Sequence, residues 1–290
     1  MTPRRYAVLG DPIAHSKSPA MQGAALRALG LPHTYEAIRA TQGELPGLVA
    51  KLREGVFHGF NVTVPHKENV LALADERDES ASHAGATNTL VRREDGRVVA
   101  YNTDAPALAA EIAELLPAGR TLAGARVLVL GSGGAARAAI AAFGAHLGAA
   151  EIAVRARGFA DRARAEAFAA SAPCPIVAEP WAASPDREQR TFAIVQATSA
   201  GMRGADEGEA IADLVSWRDL PPGAVALDVV YTPRDTPWLR AARARGLRST
   251  NGLGMLARQG ALALDLWLRH GGADGPCAVP LQAMREALER

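Results

Sequence analysis

The chain is short of several features that would otherwise fix its class. It has two cysteines, Cys174 and Cys277, in 290 residues, too few for a disulfide framework at this size and not spaced as metal ligands. It lacks excess charge: 32 basic against 31 acidic side chains give a net +1 with the signs interspersed. No basic face therefore points to nucleic acid, and no acidic tail points to disorder. No stretch approaches the roughly 18 uninterrupted apolar residues of a membrane-crossing helix, and Met1 to Leu9 lacks the apolar core of a secretory signal. Internal repeats and low-complexity segments are absent, apart from a general richness in alanine. These absences leave a soluble, cytoplasmic protein with a small-molecule ligand, no metal, no nucleic-acid partner and no membrane as the expectation.

What is present points to an α/β protein. With 48% apolar and 22% charged residues, the chain has the composition of a globular protein with a substantial core, in one large domain or two ordinary ones. Its organising stretch is Arg126 to Arg137. An apolar run, Val127 to Leu130, leads into Gly131-Ser132-Gly133-Gly134-Ala135-Ala136 and then an alanine-rich helical segment. Gly131, Gly133 and Ala136 stand at G-x-G-x-x-A spacing. Glycine at 131 permits the tight turn, glycine at 133 lets a pyrophosphate approach the backbone, and alanine at 136 lets helix and strand pack closely. The free amides and dipole of the helix start then face an anion.

Strand and helix alternate along most of the chain. Tyr6 to Leu9 reads as a strand, and His15-Ser16-Lys17-Ser18-Pro19 leads into a helix from Ala20 to Leu29. Ser18 before Pro19 reads as an N-cap. Ser16 has no such duty, so the serine pair beside a helix start is a candidate carboxylate grip. Thr34 to Ile38, Phe57 to Val64, Asn88 to Arg92 and Val98 to Tyr101 are further strands, the last two joined by an Asp95-Gly96 hairpin. Thr63 and Lys67 fall at or just past the end of the Phe57 strand, where open α/β sheets bind ligands, while His66 reads as a capping or packing residue. Asp104 divides evenly between helix cap and function.

In the second half, Glu151 to Val154, Phe192 to Gln196 and Ala224 to Val230 read as strands, with helices Thr236 to Arg245, Met255 to His270 and Leu281 to Glu289. NAD-preferring units place a carboxylate at the end of their second strand, on the ribose 2′-hydroxyl. Here Arg155-Ala156-Arg157 stands there instead. A guanidinium suits a 2′-phosphate, so NADP is expected over NAD, with the choice between Arg155 and Arg157 open. Thr198, Ser199 and Met202 follow the third strand as a small, hydroxylated loop, and Val229 and Tyr231 follow the fourth.

Seven blocks in order resemble the shikimate dehydrogenase family: Val8 to Pro19, Gly59 to Lys67, Gly85 to Leu90, Asn102 to Asp104, Gly131 to Ala136, Ala197 to Met202, and Gly252 to Leu256 with Gln259-Gly260. The resemblance implies NADP-dependent reversible reduction of 3-dehydroshikimate to shikimate in aromatic amino-acid biosynthesis. It implies two α/β domains with a ligand cleft between them, in a monomer or homodimer. A substrate-binding domain of residues 1–105 plus 249–290 would flank a Rossmann-type, doubly wound NADP domain of residues 106–248.

By matching position, the resemblance implies Lys67 and Asp104 as catalytic residues, with Ser16 and Ser18 on the substrate carboxylate. Thr63, Asn88, Tyr231 and Gln259 would bind the substrate too. Gly131, Ser132, Gly133, Gly134, Ala135, Arg155, Arg157, Thr198, Ser199, Met202, Val229 and Gly252 would line the cofactor. Two departures stand out: Ala105-Pro106-Ala107 replaces the family's usual Gly-x-Gly after Asp104, and Arg155-Ala156-Arg157-Gly158 replaces its Asn-Arg-Thr. The rival readings are a catabolic quinate/shikimate dehydrogenase and, more remotely, a non-catalytic NADP-binding regulatory module.

Overall fold

The computed structural model describes residues 2–181, 189–202, 204–206, 208–270 and 278–289; Cys277 lies outside them. The chain forms two compact units, residues 1–107 with 256–290, and residues 108–255.

In the first unit the elements run β1 (Arg5–Gly10), α1 (Ser18–Ala28), β2 (Thr34–Arg39), α2 (Leu45–Arg53), β3 (Gly59–Val62), β4 (Glu76–Arg77), α3 (Glu79–Ala84), β5 (Thr89–Arg92), β6 (Val98–Tyr101) and the start of α4 (Asp104–Leu115). Six strands form one mixed sheet in the order β2-β1-β3-β5-β6-β4. β1 pairs parallel with β2 and β3, and the β5–β6 hairpin adds antiparallel to β3. One face buries Leu9, Phe60, Val62, Leu90 and Val98 against Leu45, Val49 and Leu52 of α2. β3 is shorter than its apolar run suggested, so Thr63 and Lys67 stand beyond its end.

The second unit continues β7 (Arg126–Leu130), α5 (Gly134–Ala141), β8 (Glu151–Ala156), α6 (Arg162–Ala170), β9 (Val177–Pro180), β10 (Thr191–Gln196), α7 (Glu209–Ala212), β11 (Val225–Asp228), α8 (Pro237–Ala244), β12 (Arg248–Thr250) and the start of α9 (Leu253–His270). Its six strands pair in parallel in the order β12-β11-β10-β7-β8-β9. Numbered within the unit this is the doubly wound order 3-2-1-4-5-6 read from the other edge, and its switch point lies between β7 and β10.

The chain then returns to the first unit through α9 and α10 (Leu281–Glu289). Trp267 on α9 lies against the sheet, stacked on Tyr6 at a ring separation of 4.8 Å, and its indole Nε1 donates to the carbonyl of Leu90 at 3.0 Å. Gly59 makes room for it, since a Cβ there would collide with the indole ring. Overpacking of this kind costs about 1–3 kcal/mol. Gly59→Ala is therefore expected to lower the unfolding free energy measured in urea by that order, and an unchanged value would show that Trp267 can move aside.

Candidate active site

Lys67 and Asp104 meet in the first unit. The Lys67 Nζ donates to Asp104 Oδ2 at 2.6 Å, with the two side chains 15% and 6% exposed. The sequence left open that Asp104 caps its helix, and the structure corrects this: α4 begins at Asp104 itself. The cap is Asn102, whose Oδ1 accepts from the amides of Asp104 and Ala105 at 3.1 and 3.0 Å. Asn102 Nδ2 in turn donates to the carbonyl of Ala86. The Asp104 carboxylate is thereby left to the lysine, at a helix end whose dipole favours an anion.

Asn88 and Gln259 stand together. Asn88 Nδ2 donates to Gln259 Oε1 at 3.3 Å and to Thr103 Oγ1 at 2.9 Å, while Asn88 Oδ1 accepts from the Thr103 amide at 2.8 Å. Gln259 is 8% exposed and donates to the Leu256 carbonyl, so it is a buried polar residue of α9 rather than a helix-surface glutamine. Asn61, itself buried, donates to the carbonyl of Asn88 and accepts from the Tyr35 hydroxyl at 2.8 Å. Sequence reasoning missed Asn61, Tyr35 and Asn102 as supports.

Ser18 is corrected too. It is the first residue of α1 and caps nothing; the Ser16 hydroxyl accepts from its amide at 3.3 Å instead. The Ser18 side chain hydrogen-bonds the Tyr35 phenol, which burial pushes far up. Thr63 sits at the close approach of two turns, where a Cβ on Gly10 would lie 2.5 Å from its Cγ2. His66 packs, its Nε2 2.6 Å from the carbonyl of Ala40.

In the second unit the glycine turn has the required form. Gly131 has φ +118°, a conformation closed to most side chains. Gly133 precedes α5 without any side-chain cap, and a Cβ there would meet nothing within 4 Å. The amides of Gly134 and Ala135 thus open an uncapped helix start, with Ser132 exposed in the turn. The residues fit a pyrophosphate.

The two arginines separate completely. β8 runs on to Ala156, so Arg155 lies inside the sheet, 1% exposed, donating to Glu179 on β9 at 2.9 Å and to the carbonyl of Leu214. Arg126 donates to the same Glu179 at 2.9 Å and to Glu151 at 2.8 Å. Arg155 is thus committed to a buried ion network. The Arg157 side chain is 79% exposed, 3.8 Å from Asp206, with its guanidinium 5.9 Å from the Trp181 ring.

Past the other strand ends, Thr198 Oγ1 accepts from the Ala200 amide, and the Ser199 carbonyl accepts from Met202, whose side chain is exposed. The Val229 amide donates to the Gln196 carbonyl. Gly252 lies so close to the Val229 carbonyl that any Cβ would collide with it. Tyr231 follows, its phenol pushed up by burial. Among the described residues no group of three His, Cys, Asp or Glu could hold a metal ion, and no helix is long and apolar enough to cross a membrane.

A parallel sheet in this order, with a glycine turn after its first strand and an exposed guanidinium just past its second, is an α/β unit of the Rossmann class. The family model for the shikimate dehydrogenase substrate binding domain matches residues 8–90. The shikimate dehydrogenase (NADP(+)) of Methylobacterium radiotolerans is 42% identical over 269 residues, covering 92% of this chain and 91% of its own. The chain belongs to the shikimate dehydrogenase family.

Among solved structures, the Thermus thermophilus shikimate 5-dehydrogenase in complex with NADP(H) and shikimate is 37% identical. Its TM-score is 0.78, with 99% of each chain covered. The 5-ketofructose reductase of a Gluconobacter strain is also similar, at 28% identity and a TM-score of 0.82 over 100% of this chain and 99% of its own.

One buried acid titrates unusually. Asp228, fully buried at the end of β11, has its carboxyl pushed by burial from 3.8 to about 7, against the opposing pull of the Thr236 hydroxyl and the Val230 amide. An acid with a raised folded-state pKa favours the folded state at low pH. That contribution is complete below about pH 4 and is lost as pH rises to about 7. The Tm of the native chain relative to Asp228→Asn is expected to fall across that window; a difference independent of pH would mean that Asp228 is ionised throughout.

Proposed function

We propose that this chain catalyses the NADP-dependent, reversible reduction of 3-dehydroshikimate to shikimate. The observation that carries the reading is the Lys67–Asp104 pair, standing in one unit with Asn88 and Gln259 while a Rossmann unit carries Arg157. Residues 1–107 with 256–290 take the substrate, and residues 108–255 take the cofactor. Ser16 and Ser18 beside α1 hold the substrate carboxylate; Thr63, Asn88 and Gln259 meet its hydroxyls or carboxylate. The Gly131–Ala135 turn holds the pyrophosphate and Arg157 the 2′-phosphate. Thr198, Ser199, Met202, Val229 and Gly252 line the rest of the cofactor path.

NADPH, when bound, supplies the hydride. As the substrate carbonyl oxygen gains charge, Lys67 Nζ donates a hydrogen bond and then a proton to it. Asp104 holds the ammonium in place and compensates its charge once substrate has displaced water. In the oxidative direction Lys67 receives the hydroxyl proton instead. The Asn88–Gln259 amide pair orients the ring so that one hydroxyl-bearing carbon lies at the lysine.

Absorbance at the nicotinamide band tests the reading, with shikimate and NADP in one cell, quinate and NADP in a second, and NAD replacing NADP in two more. Reduction with shikimate and NADP is expected. Preference for quinate would move the protein to the catabolic branch. A further cell with NADPH and 5-ketofructose covers the reductase likeness, and silence in all cells would leave a non-catalytic cofactor-binding module. Lys67→Ala is expected to lower kcat by about 10²–10⁴-fold with KM changed much less; a loss confined to KM would make Lys67 a binding residue only.

The two arginines should part in the same assay. Losing a charge-assisted contact of about 1.5–3 kcal/mol, Arg157→Ala is expected to raise the NADPH KM roughly 10- to 100-fold without touching NADH. Arg155→Ala should instead lower Tm, by breaking a buried pair worth about 3–5 kcal/mol. The reverse pattern would return the phosphate to Arg155.

A further inference from the structure

Three fully buried polar side chains in the second unit have no part in the chemistry above. Gln196 ends β10, Asp228 ends β11, and Thr236 caps α8; each is 0% exposed. Gln196 Oε1 accepts from the Thr198 amide, and its Nε2 donates to the Ala200 carbonyl at 3.0 Å and to Asp228 Oδ1 at 3.2 Å. The same Oδ1 accepts from the Val230 amide at 2.9 Å. The Thr236 hydroxyl donates to Asp228 Oδ2 at 2.6 Å and accepts from the Leu239 amide at 3.2 Å. Gly201 packs on Thr236 so closely that a Cβ on the glycine would lie 3.3 Å from the Thr236 Cβ. One amide and one carboxyl therefore grip Thr198, Ala200 and Val230 at once.

Position gives this cluster a meaning. A doubly wound sheet holds one mononucleotide on each half. The half with the glycine turn and Arg157 is built of β7, β8 and β9, so the other, of β10, β11 and β12, is left for the nicotinamide mononucleotide. Both gripped loops lie at the carboxyl ends of that half's strands. A buried polar cluster costs stability unless every member is paired, and an apolar pair would have packed two neighbouring strands without that demand. What hydrogen bonds supply here, and apolar contacts do not, is a fixed orientation of backbone in two loops.

We propose that Gln196, Asp228 and Thr236 form a positioning cluster that sets the loops after β10 and β11 as a single surface for the nicotinamide half of the cofactor. The inference rests on the NADP reading above. Burial that pushes Asp228 up to about 7 fits a carboxyl enclosed within this cluster.

The test compares two ligands on the full chain. NADPH spans both halves, whereas adenosine 2′,5′-bisphosphate reaches only the glycine turn and Arg157. Losing a hydrogen bond to the cluster is worth about tenfold. In Asp228→Asn and Thr236→Val the Kd for NADPH, read by its fluorescence, is expected to rise by about that factor, with adenosine 2′,5′-bisphosphate changed less than about twofold. Thr236→Ser, which keeps the hydroxyl and the cap, should restore NADPH binding. Equal losses of both ligands, or a lowered Tm with both affinities intact, would make the cluster purely structural and overturn the proposal. Should Asp228→Asn fail to fold, the threonine pair decides alone. Wild-type protein that binds neither ligand would overturn the NADP reading itself, a result distinct from variants that bind as the wild type does.

Discussion

A lysine and a carboxylate 2.6 Å apart, both largely out of water, are the constraint on which the first unit depends. Withdrawing either charge from water costs several kcal/mol, and the pair is stable only where further dipoles share the burden. The surrounding segments supply them. Asn102 takes over the capping of α4, so the carboxylate is not spent on its own helix, and the helix start then lies behind Asp104. On the lysine side, the Lys67 carbonyl accepts from the Thr87 amide at 2.8 Å, and the Thr87 hydroxyl donates to the Tyr101 carbonyl at 2.7 Å. The segments around 67, 87 and 102 are thus tied to one another by backbone as well as by charge. The chemistry inherits its geometry from that knot.

The second unit solves a different electrostatic problem. Two guanidiniums lie inside it, on β7 and β8, and Glu179 on β9 serves both. This arrangement locks three neighbouring strands in register and keeps Arg155 from any ligand. Two residues later the chain has left the sheet, and Arg157 projects into solvent beside Trp181 and Asp206. An exposed ion pair such as Arg157–Asp206 contributes little, so it does not hold the guanidinium against a better anion.

How far the sequence revealed this differs from place to place. Apolar runs located β1, β7, β10 and β11, and the order of motifs carried the family resemblance. The short edge strands β4, β9 and β12 have little apolar periodicity, because pairing on one side only asks little of their side chains. That gap had a cost at the site. With β9 unrecognised, Glu179 had no place, and nothing distinguished Arg155 from Arg157, two positions apart beyond the apolar run. Asp104 was ambiguous because a capping asparagine two residues upstream and a capping aspartate look equally good in one dimension. Lys67 stood out by its place at a strand end, whereas Asn88 and Gln259 stood out only as members of motifs, since 171 residues separate the two amides that meet.

The return of α9 to the first sheet also orders events during synthesis. Residues 108–255 are contiguous and complete a parallel sheet of their own, so they have every partner they need before the last helices are made. The first sheet does not: its strands β1, β3 and β5 await Trp267, which stacks on Tyr6, fills the space over Gly59 and bonds the carbonyl of Leu90. Until then the face that receives Trp267, built from strands made much earlier, stands uncovered while residues 108–255 are synthesised. Of the two units, the one whose first strands are made earlier is thus the later to close, and its uncovered face persists for as long as the ribosome takes to reach α9.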